Sequence, residues 1–498
     1  MTWSPGDPIT SADDYRASLR GRDLRVHLMG ERVAEPLDHP VIAPSVNAMA
    51  ETYALATEDP QLATAGSTVI DAPVNRFLHV TTDVNDVVAQ NRMQRRLGQR
   101  TGTCFQRCVG MDAINALFSL TFDIDTSAGT DYHQRFRTWL AEVQRQNLVV
   151  GGAMTDPKGD RSLPPHRQPD PDVFLRVVER RDDGVVIRGA KAHQTGALNS
   201  HWMLVMPTQR LTSDDRDYAV VGAVPVDAPG ITYVYGRQAS DDRASGSDID
   251  AGNACFAGQE VLVIFDDVLI PTEHVFMDGE WEFAADLVER FTAYHRRSYV
   301  CKSGVGDVLI GAAALVAEYH GVDRASHVRD KLVEMVHLNE TIYAAGIASS
   351  HESFARPAGN FENDGLLANI CKHNVTRFPY EIGRLAQDLA GGLLVTLPGD
   401  EEFRDVEIGP VLDKYLSPGS GRATADRRRV LRLIENMTMG RNAVGYLTES
   451  LHGAGSPQAQ RVQIERQADL ADKKQLARRL AGITSPEVPD SAATNPRQ

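Results

Sequence analysis

Val173-Phe-Leu-Arg-Val-Val-Glu179 and Gly184-Val-Val-Ile-Arg-Gly-Ala190 flank Asp182-Asp183-Gly184. Two runs rich in β-branched residues on either side of an Asp-Gly turn predict a β-hairpin. Further strand-like runs follow at Trp202–Pro207, Tyr218–Val226, Ile231–Tyr235 and Val261–Phe265, each short and bounded by Gly, Pro or Asp. Together they predict a small antiparallel β domain over residues 147–278. Both flanks read differently. In residues 1–146, Ser11 with Asp14 resembles a capping box before Tyr15, and Asp83–Leu97 and Cys104–Leu120 carry helical patterning. Residues 279–483 hold long amphipathic segments at Glu280–Tyr299, Val305–His320, Ser326–Ser350, Gly365–Leu394, Thr424–Glu449 and Pro457–Ala481. Such lengths with short connections predict an antiparallel helical bundle. Residues 484–498, rich in Pro, Ser, Asp and Asn, predict a disordered tail. The expected fold class is α+β and multidomain.

Bulk properties narrow the function. A chain of 498 residues exceeds one simple core, and its 42% hydrophobic and 24% charged content is that of a globular protein. A net charge of −15 opposes nucleic-acid binding by bulk electrostatics. The start lacks a basic region followed by an apolar one, so no secretory signal is expected. The longest apolar stretch, Val308–Ala317, is about half of the ~20 residues a membrane span needs; it predicts a buried helix and no membrane. Five cysteines, an odd number, argue against a disulfide framework and for a reducing cytoplasm.

Those cysteines carry the chemistry. Cys104 and Cys108 lie in Thr101-Gly-Thr-Cys-Phe-Gln-Arg-Cys108; His295 and Cys301 lie in Tyr294-His-Arg-Arg-Ser-Tyr-Val-Cys301. On one helix the first pair would leave the same face. Thiolates with an imidazole suit zinc or an iron–sulfur cluster, although cysteines four apart also occur as small core hydrophobes. Ala153–Arg161 is a polar, turn-forming loop with backbone amides open to an aromatic or anionic ligand; an ordinary surface turn has the same composition. Lys191–Ser200 sets short hydrogen-bonding side chains at a strand end. Gln387-Asp-Leu-Ala-Gly391-Gly392 permits close backbone approach to a pyrophosphate, or simply ends a helix. Thr448–Pro457 is a Gly-rich break carrying Glu449 and His452, and loops of this kind concentrate binding residues.

The order helical, β, helical is similar to the acyl-CoA dehydrogenase scaffold. More specifically, Thr101–Ala113, Ala153–Ser162, Gly189–His201, Ala257–Pro271, Leu287–Tyr299, Cys301–Ala314 and Thr448–Arg461 closely resemble the 4-hydroxybutyryl-CoA dehydratase family, within the group that contains 4-hydroxyphenylacetate 3-monooxygenase. The resemblance implies a homotetramer, a dimer of dimers, with FAD and a [4Fe–4S] cluster in each subunit. Cys104, Cys108, His295 and Cys301 fall on the cluster ligands. Gln106, Glu260, Tyr299, Lys302, Thr195 and Glu449 fall on the active-site lining, with His295 also serving as a base. Met154, Thr155, Asp156, Lys158, Gly159, Gln194 and Thr195 would hold the flavin, and Gln387, Gly391 and Gly392 its adenylate part. The implied activity is radical dehydration of 4-hydroxybutyryl-CoA, or a close 4-hydroxyacyl-CoA, to crotonyl-CoA, with vinylacetyl-CoA isomerase activity alongside. The related monooxygenases lack the cysteines, so a reduced-flavin-dependent aromatic hydroxylase without a cluster is the alternative. One spacing departs from the family: His295 and Cys301 are six residues apart, not seven. Six steps at ~100° leave two helical side chains ~120° apart, so one cluster can take both only if the helix is broken or wound differently between them.

Overall fold

The computed structural model describes residues 4–236, 247–418 and 421–485; the expected tail lies outside them from residue 486 on. The N-terminal part contains helices α1 (Ala12–Ser18), α2 (Ala43–Glu58), the single-turn α3 (Pro60–Ala63), α4 (Val84–Thr101), α5 (Cys108–Ala128) and α6 (Tyr132–Gln146). Local chemistry sets their ends. Ser11 accepts the Asp14 N–H at 3.1 Å to start α1, and Asp83 accepts the Asp86 N–H at 2.9 Å to start α4. The region is not wholly helical: β1 (Val26–Leu28) and β2 (Glu31–Val33) join the central sheet, and β3 (Thr64–Ser67) pairs with β4 (Ala72–Asn75).

The middle segment supplies β5 (Val150–Ala153), β6 (Arg176–Arg181), β7 (Gly184–Thr195), β8 (Trp202–Val205), β9 (Val220–Pro225), β10 (Ile231–Tyr235), β11 (Glu260–Pro271) and β12 (Val275–Asp278). They form a six-stranded sheet, β2-β1-β10-β11-β7-β6, and a four-stranded sheet, β12-β9-β8-β5. Most pairs are antiparallel, and the β6–β7 hairpin is present. Two are parallel, β1 with β10 and β5 with β8, because β1 arrives from the N-terminal part and β5 from α6, not from a tight hairpin. The long β7–β11 ladder ends with Glu260 opposite Thr195.

The C-terminal part is a helical assembly: α7 (Ala284–Ser298), α8 (Cys301–Tyr319), α9 (Ser326–His351), α10 (Gly365–Val375), α11 (Phe378–Ala390), the short α12 (Leu393–Thr396), α13 (Asp400–Arg404) and α14 (Gly409–Leu416), then α15 (Thr424–Thr438), α16 (Arg441–Ala443), a π-helical turn at Val444–Thr448, α17 (Glu449–His452), α18 (Pro457–Gln467) and α19 (Leu470–Leu480). Three segments expected as single helices are broken. Gly365–Leu394 divides ahead of Pro379, which lacks an N–H and sits in the first turn of α11. Thr424–Glu449 breaks at Met439–Gly440. Pro457–Ala481 breaks before Asp469, whose side chain caps α19. The stretch Trp281–Tyr319 contains a window apolar enough to cross a membrane, yet 67% of that window is buried inside the protein. By position that window belongs to the core.

One large hydrophobic core joins the N-terminal helices to both sheets, and a second fills the C-terminal helices. Two smaller clusters lie between them. One holds Leu97, Phe105, Met111 and Cys301; the other holds Tyr299, Val300, Ile342 and Cys371. α4 and α8 cross there almost backbone to backbone. A Cβ on Gly98 would lie 2.3 Å from the Cys301 carbonyl oxygen, and one on Gly304 only 2.0 Å from the Arg95 carbonyl oxygen. Gly304→Ala is expected to lower stability by about 1–3 kcal/mol through overpacking. Gly311→Ala, on the same helix with nothing within 4 Å of its added methyl, should raise it by roughly 0.5–1 kcal/mol. Thermal melts of the two variants test the crossing; equal melting temperatures would contradict it.

Candidate active site

Cys104 and Cys108 do not share a helix. Gly102, at φ +59, ends α4, Gln106 takes a left-handed φ of +67, and α5 begins only at Cys108. The expected common helical face is therefore replaced by a loop. Gln106 accounts for part of its shape: its amide donates to the Ser45 and Ala257 carbonyls and accepts from Asn199. Expected to line the active site, Gln106 has its whole amide engaged in holding this loop to its surroundings. Cys104, at the loop's centre, lies within 3.7 Å of the space over Gly258, and its N–H faces Gly445.

Cys108 and Cys301 meet across α5 and α8. They share a hydrogen bond that lowers the Cys301 pKa, while burial raises those of Cys108 and Cys104. The backbone explains how Cys301 comes within reach of the His295 side despite the six-residue spacing. α7 ends at Ser298 and α8 starts at Cys301. Between them Tyr299, Val300, Lys302 and Ser303 donate to Arg296, Arg297, Tyr299 and Val300, each three residues back. Such 3₁₀ winding turns ~20° further per residue than an α-helix, so the tightened stretch at Tyr299–Val300 narrows the ~120° divergence of a straight helix.

His295 is oriented by a residue that the motifs had not singled out. Its Nδ1 lies 2.8 Å from Asp112 Oδ2, and Asp112 Oδ1 accepts from Ser298 Oγ at 2.8 Å. With Nδ1–H donated to a carboxylate, Nε2 carries the free lone pair, the usual arrangement behind a metal-bound histidine. Asp112 stands four residues beyond Cys108, on the same face of α5; that spacing was the signal available for it.

A second group gathers beside the thiols. Thr195 Oγ donates to Glu260 Oε1 at 2.7 Å. Lys302 Nζ donates to Glu449 Oε1 at 3.1 Å and to the Gly445 carbonyl at 2.6 Å, the latter in the π-helical turn. Burial and the nearby Glu449 charge push the Glu260 pKa well up, against the Thr195 hydrogen bond. Burial opposes the Lys302 charge, but Glu449 and the Cys104 and Cys301 sulfurs outweigh it and raise its pKa. Tyr299 is buried beneath these groups, with its hydroxyl where a Cβ on Gly453 would fall. Lys372, on α10, was not anticipated. Its ammonium lies 4.4 Å from the Tyr299 ring centre and donates to the Ser450 carbonyl.

The segments expected at a flavin are divided. Met154 to Asp156 are strapped to β7: the Thr155 carbonyl accepts from Ala192 N–H at 2.8 Å and Gln194 Nε2 at 3.3 Å. Asp156 is turned inward in a buried pair with Lys191 at 2.8 Å, so its carboxylate is not offered to a ligand. Lys158 and Gly159 are exposed. Gln387, Gly391 and Gly392 are not brought to this group. They end α11, which packs against α8, α9 and α15, and a Cβ on either glycine would meet nothing within 4 Å.

The N-terminal region of the 4-hydroxyphenylacetate 3-hydroxylase family matches residues 11–277, and its C-terminal region matches residues 284–482. The chain belongs to that family. Within it, the chain is 53% identical, over 95% of its length and 100% of the relative's, to 4-hydroxybutyryl-CoA dehydratase/vinylacetyl-CoA-Δ-isomerase of Clostridium aminobutyricum. It is 63% identical to a solved oxygen-tolerant archaeal 4-hydroxybutyryl-CoA dehydratase from N. maritimus, with a TM-score of 0.95 and 96% of each chain covered. An oxygenase component of 4-hydroxyphenylacetate 3-monooxygenase, solved with FAD, shares the fold at a TM-score of 0.82 and 23% identity, covering 95% of this chain and 98% of its own.

Burial, with help from Lys302 and Arg296, brings the Lys372 pKa down to about 7. The buried charge therefore weakens the fold most below pH 7, where folded and unfolded chains both hold the proton. The penalty fades as pH rises from 7 towards the unfolded value. Lys372→Met should gain melting temperature relative to wild type at pH 6, with the difference shrinking steadily by pH 9. A difference independent of pH would refute the assignment.

Proposed function

We propose that this chain dehydrates 4-hydroxybutyryl-CoA, or a close 4-hydroxyacyl-CoA, to crotonyl-CoA and isomerises vinylacetyl-CoA, as a hydro-lyase holding FAD and a [4Fe–4S] cluster. The observation that carries this reading is the meeting of Cys108, Cys301 and the Cys104 loop beside a carboxylate-oriented His295, next to Glu260, Glu449 and Lys302. Three soft sulfurs and one imidazole are a chemically suitable set for an iron–sulfur cluster. Among the described residues no three His, Cys, Asp or Glu side chains are gathered as a single ion requires.

Cys104, Cys108, Cys301 and His295 would hold the cluster. The backbone of Met154–Gly159, with Gln194 and Thr195, would hold the flavin. Gln387, Gly391 and Gly392 would serve an adenylate from a neighbouring subunit of a homotetramer, which fits their place on the outer end of α11. All five cysteines are free thiols, as a reducing cytoplasm would keep them. When bound, FAD supplies a one-electron acceptor and the cluster an iron site for the departing hydroxyl.

The chain's own residues handle protons and orientation. Dehydration to crotonyl-CoA takes two protons from carbon, gives one to the leaving oxygen and returns one to the carbon that the hydroxyl left. Two carboxylates with different surroundings suit such paired work. Glu260, kept protonated by burial and held through Oε1 by Thr195, is a proton donor. Glu449, oriented by Lys302, is the acceptor. His295, with Asp112 behind it, presents Nε2 both as a ligand and as a base. Tyr299 and the Lys302 stem close the site against water.

Iron and acid-labile sulfide on anaerobically purified protein test the central claim. About four irons per chain, brown colour and bleaching in air are expected; yellow, iron-free protein that hydroxylates a phenol with reduced flavin would establish the alternative. Glu449→Gln and Glu260→Gln should each lower kcat by roughly 10²–10⁴-fold, as expected for loss of a general acid or base, while cofactor content stays the same. Wild-type turnover in either variant would remove that residue from the mechanism.

A further inference from the structure

A stripe of side chains on one face of α4 runs along the candidate cluster site. Gln90, Gln94 and Gly98 are spaced four apart and share that face. Gln90 Oε1 accepts from Arg297 at 2.8 Å, and Gly98 abuts the Cys301 carbonyl. Gln94, between them, is fully buried. Its Nε2 donates to Cys108 Sγ at 3.3 Å, and its Oε1 has no partner. A buried amide with an orphaned oxygen is costly. The reverse orientation would set the carbonyl oxygen against the sulfur and orphan the N–H group instead. Toward a thiolate only the N–H orientation is attractive, since a thiolate accepts and cannot donate.

We propose that Gln94 is a positioning residue that donates an N–H···S bond to the Cys108 thiolate and thereby raises the reduction potential of the cluster bound there and slows its loss in air. The inference rests on the cluster reading above. Hydrogen bonds to ligand sulfurs are among the features that set cluster potentials. Reduction places one more electron on the iron–sulfur unit, and a donor at the sulfur stabilises that added charge more than it stabilises the oxidised state. A hydrogen bond to a charged group is worth enough to change such an equilibrium about tenfold.

The test uses anaerobically purified holoenzyme, wild type and Gln94→Met, which keeps the bulk and removes the donor. Each is titrated with dithionite while the cluster is followed by visible absorption and EPR, and iron is counted before and after timed exposure to air. Expected are equal iron contents, a midpoint potential displaced downward so that the reduced fraction falls about tenfold at a fixed potential, and faster bleaching of Gln94→Met. Equal potentials and equal bleaching in two iron-loaded proteins would overturn the role of Gln94 and leave the cluster reading intact. Iron-free wild type would overturn both. Should Gln94→Met fail to fold, wild type labelled with ¹⁵N in its glutamine side chains decides the matter: pulsed EPR of the reduced cluster should show coupling to one such nitrogen, and its absence refutes the bond.

Discussion

The near contact of α4 and α8 at Gly98 and Gly304 is the constraint from which the rest of the candidate site follows. Side chains normally hold helices 8–10 Å apart; here the missing Cβ atoms let carbonyl oxygens rest on glycine carbons. At that distance the first turn of α8 has little freedom to slide. The Cys301 backbone is set against Gly98, and Gln94 reaches Cys108 from one turn earlier on α4. The crossing is flanked by polar clamps, Arg95 with Asp307 at 2.9 Å and Gln99 with the same carboxylate at 2.7 Å. A contact made by backbone is stiffer than one made by rotatable side chains, which suits ligands that must hold a fixed separation.

Overwinding at Tyr299–Ser303 is the other half of the same device. A straight α-helix would send His295 and Cys301 to different faces; tightening the hydrogen bonds to three-residue steps turns them towards one another. Val300 anchors the tightened turn. It is fully buried, and its side chain fills the place a Cβ on Gly346 would take, with Asn91 and Cys371 beside it. That packing against α9 holds the tightened turn in place.

The alternation of helical and β segments was legible because period and turn chemistry are local properties. The β6–β7 hairpin follows from Asp-Asp-Gly alone. The exceptions are non-local. β1 and β2 are three residues each and gain their partners only when β10 is in place, so nothing in residues 26–33 announces them. The Cys104 loop reads as helix because its patterning is helical; the left-handed Gln106 that interrupts it depends on Ser45, Ala257 and Asn199, all distant in the chain. Within the candidate site, the sulfurs, His295 and the two glutamates stand in conspicuous motifs. Asp112, Gln94 and Lys372 do not, since a polar residue on a helix is ordinary until its burial is known.

The two carboxylates give this scaffold an unequal pair of proton-carrying groups. Glu260 enters from a strand end and Glu449 from the start of α17, directly after the π-helical turn, and the Glu449 charge reaches Glu260. Two carboxylates in one buried space do not both ionise freely. Among the described residues the only ammonium bonded to either belongs to Lys302, the residue directly after a candidate cluster ligand, and it goes to Glu449; Glu260 receives a hydroxyl. That unequal partnering assigns the proton to Glu260. The π-helical turn matters here because its widened backbone offers the Gly445 carbonyl to Lys302, which aims the ammonium at Glu449. The result is an unequal proton pair joined through one lysine to the residue after a buried thiol. A dehydratase, which must move protons at carbon while a hydroxyl leaves, has a use for every part of it.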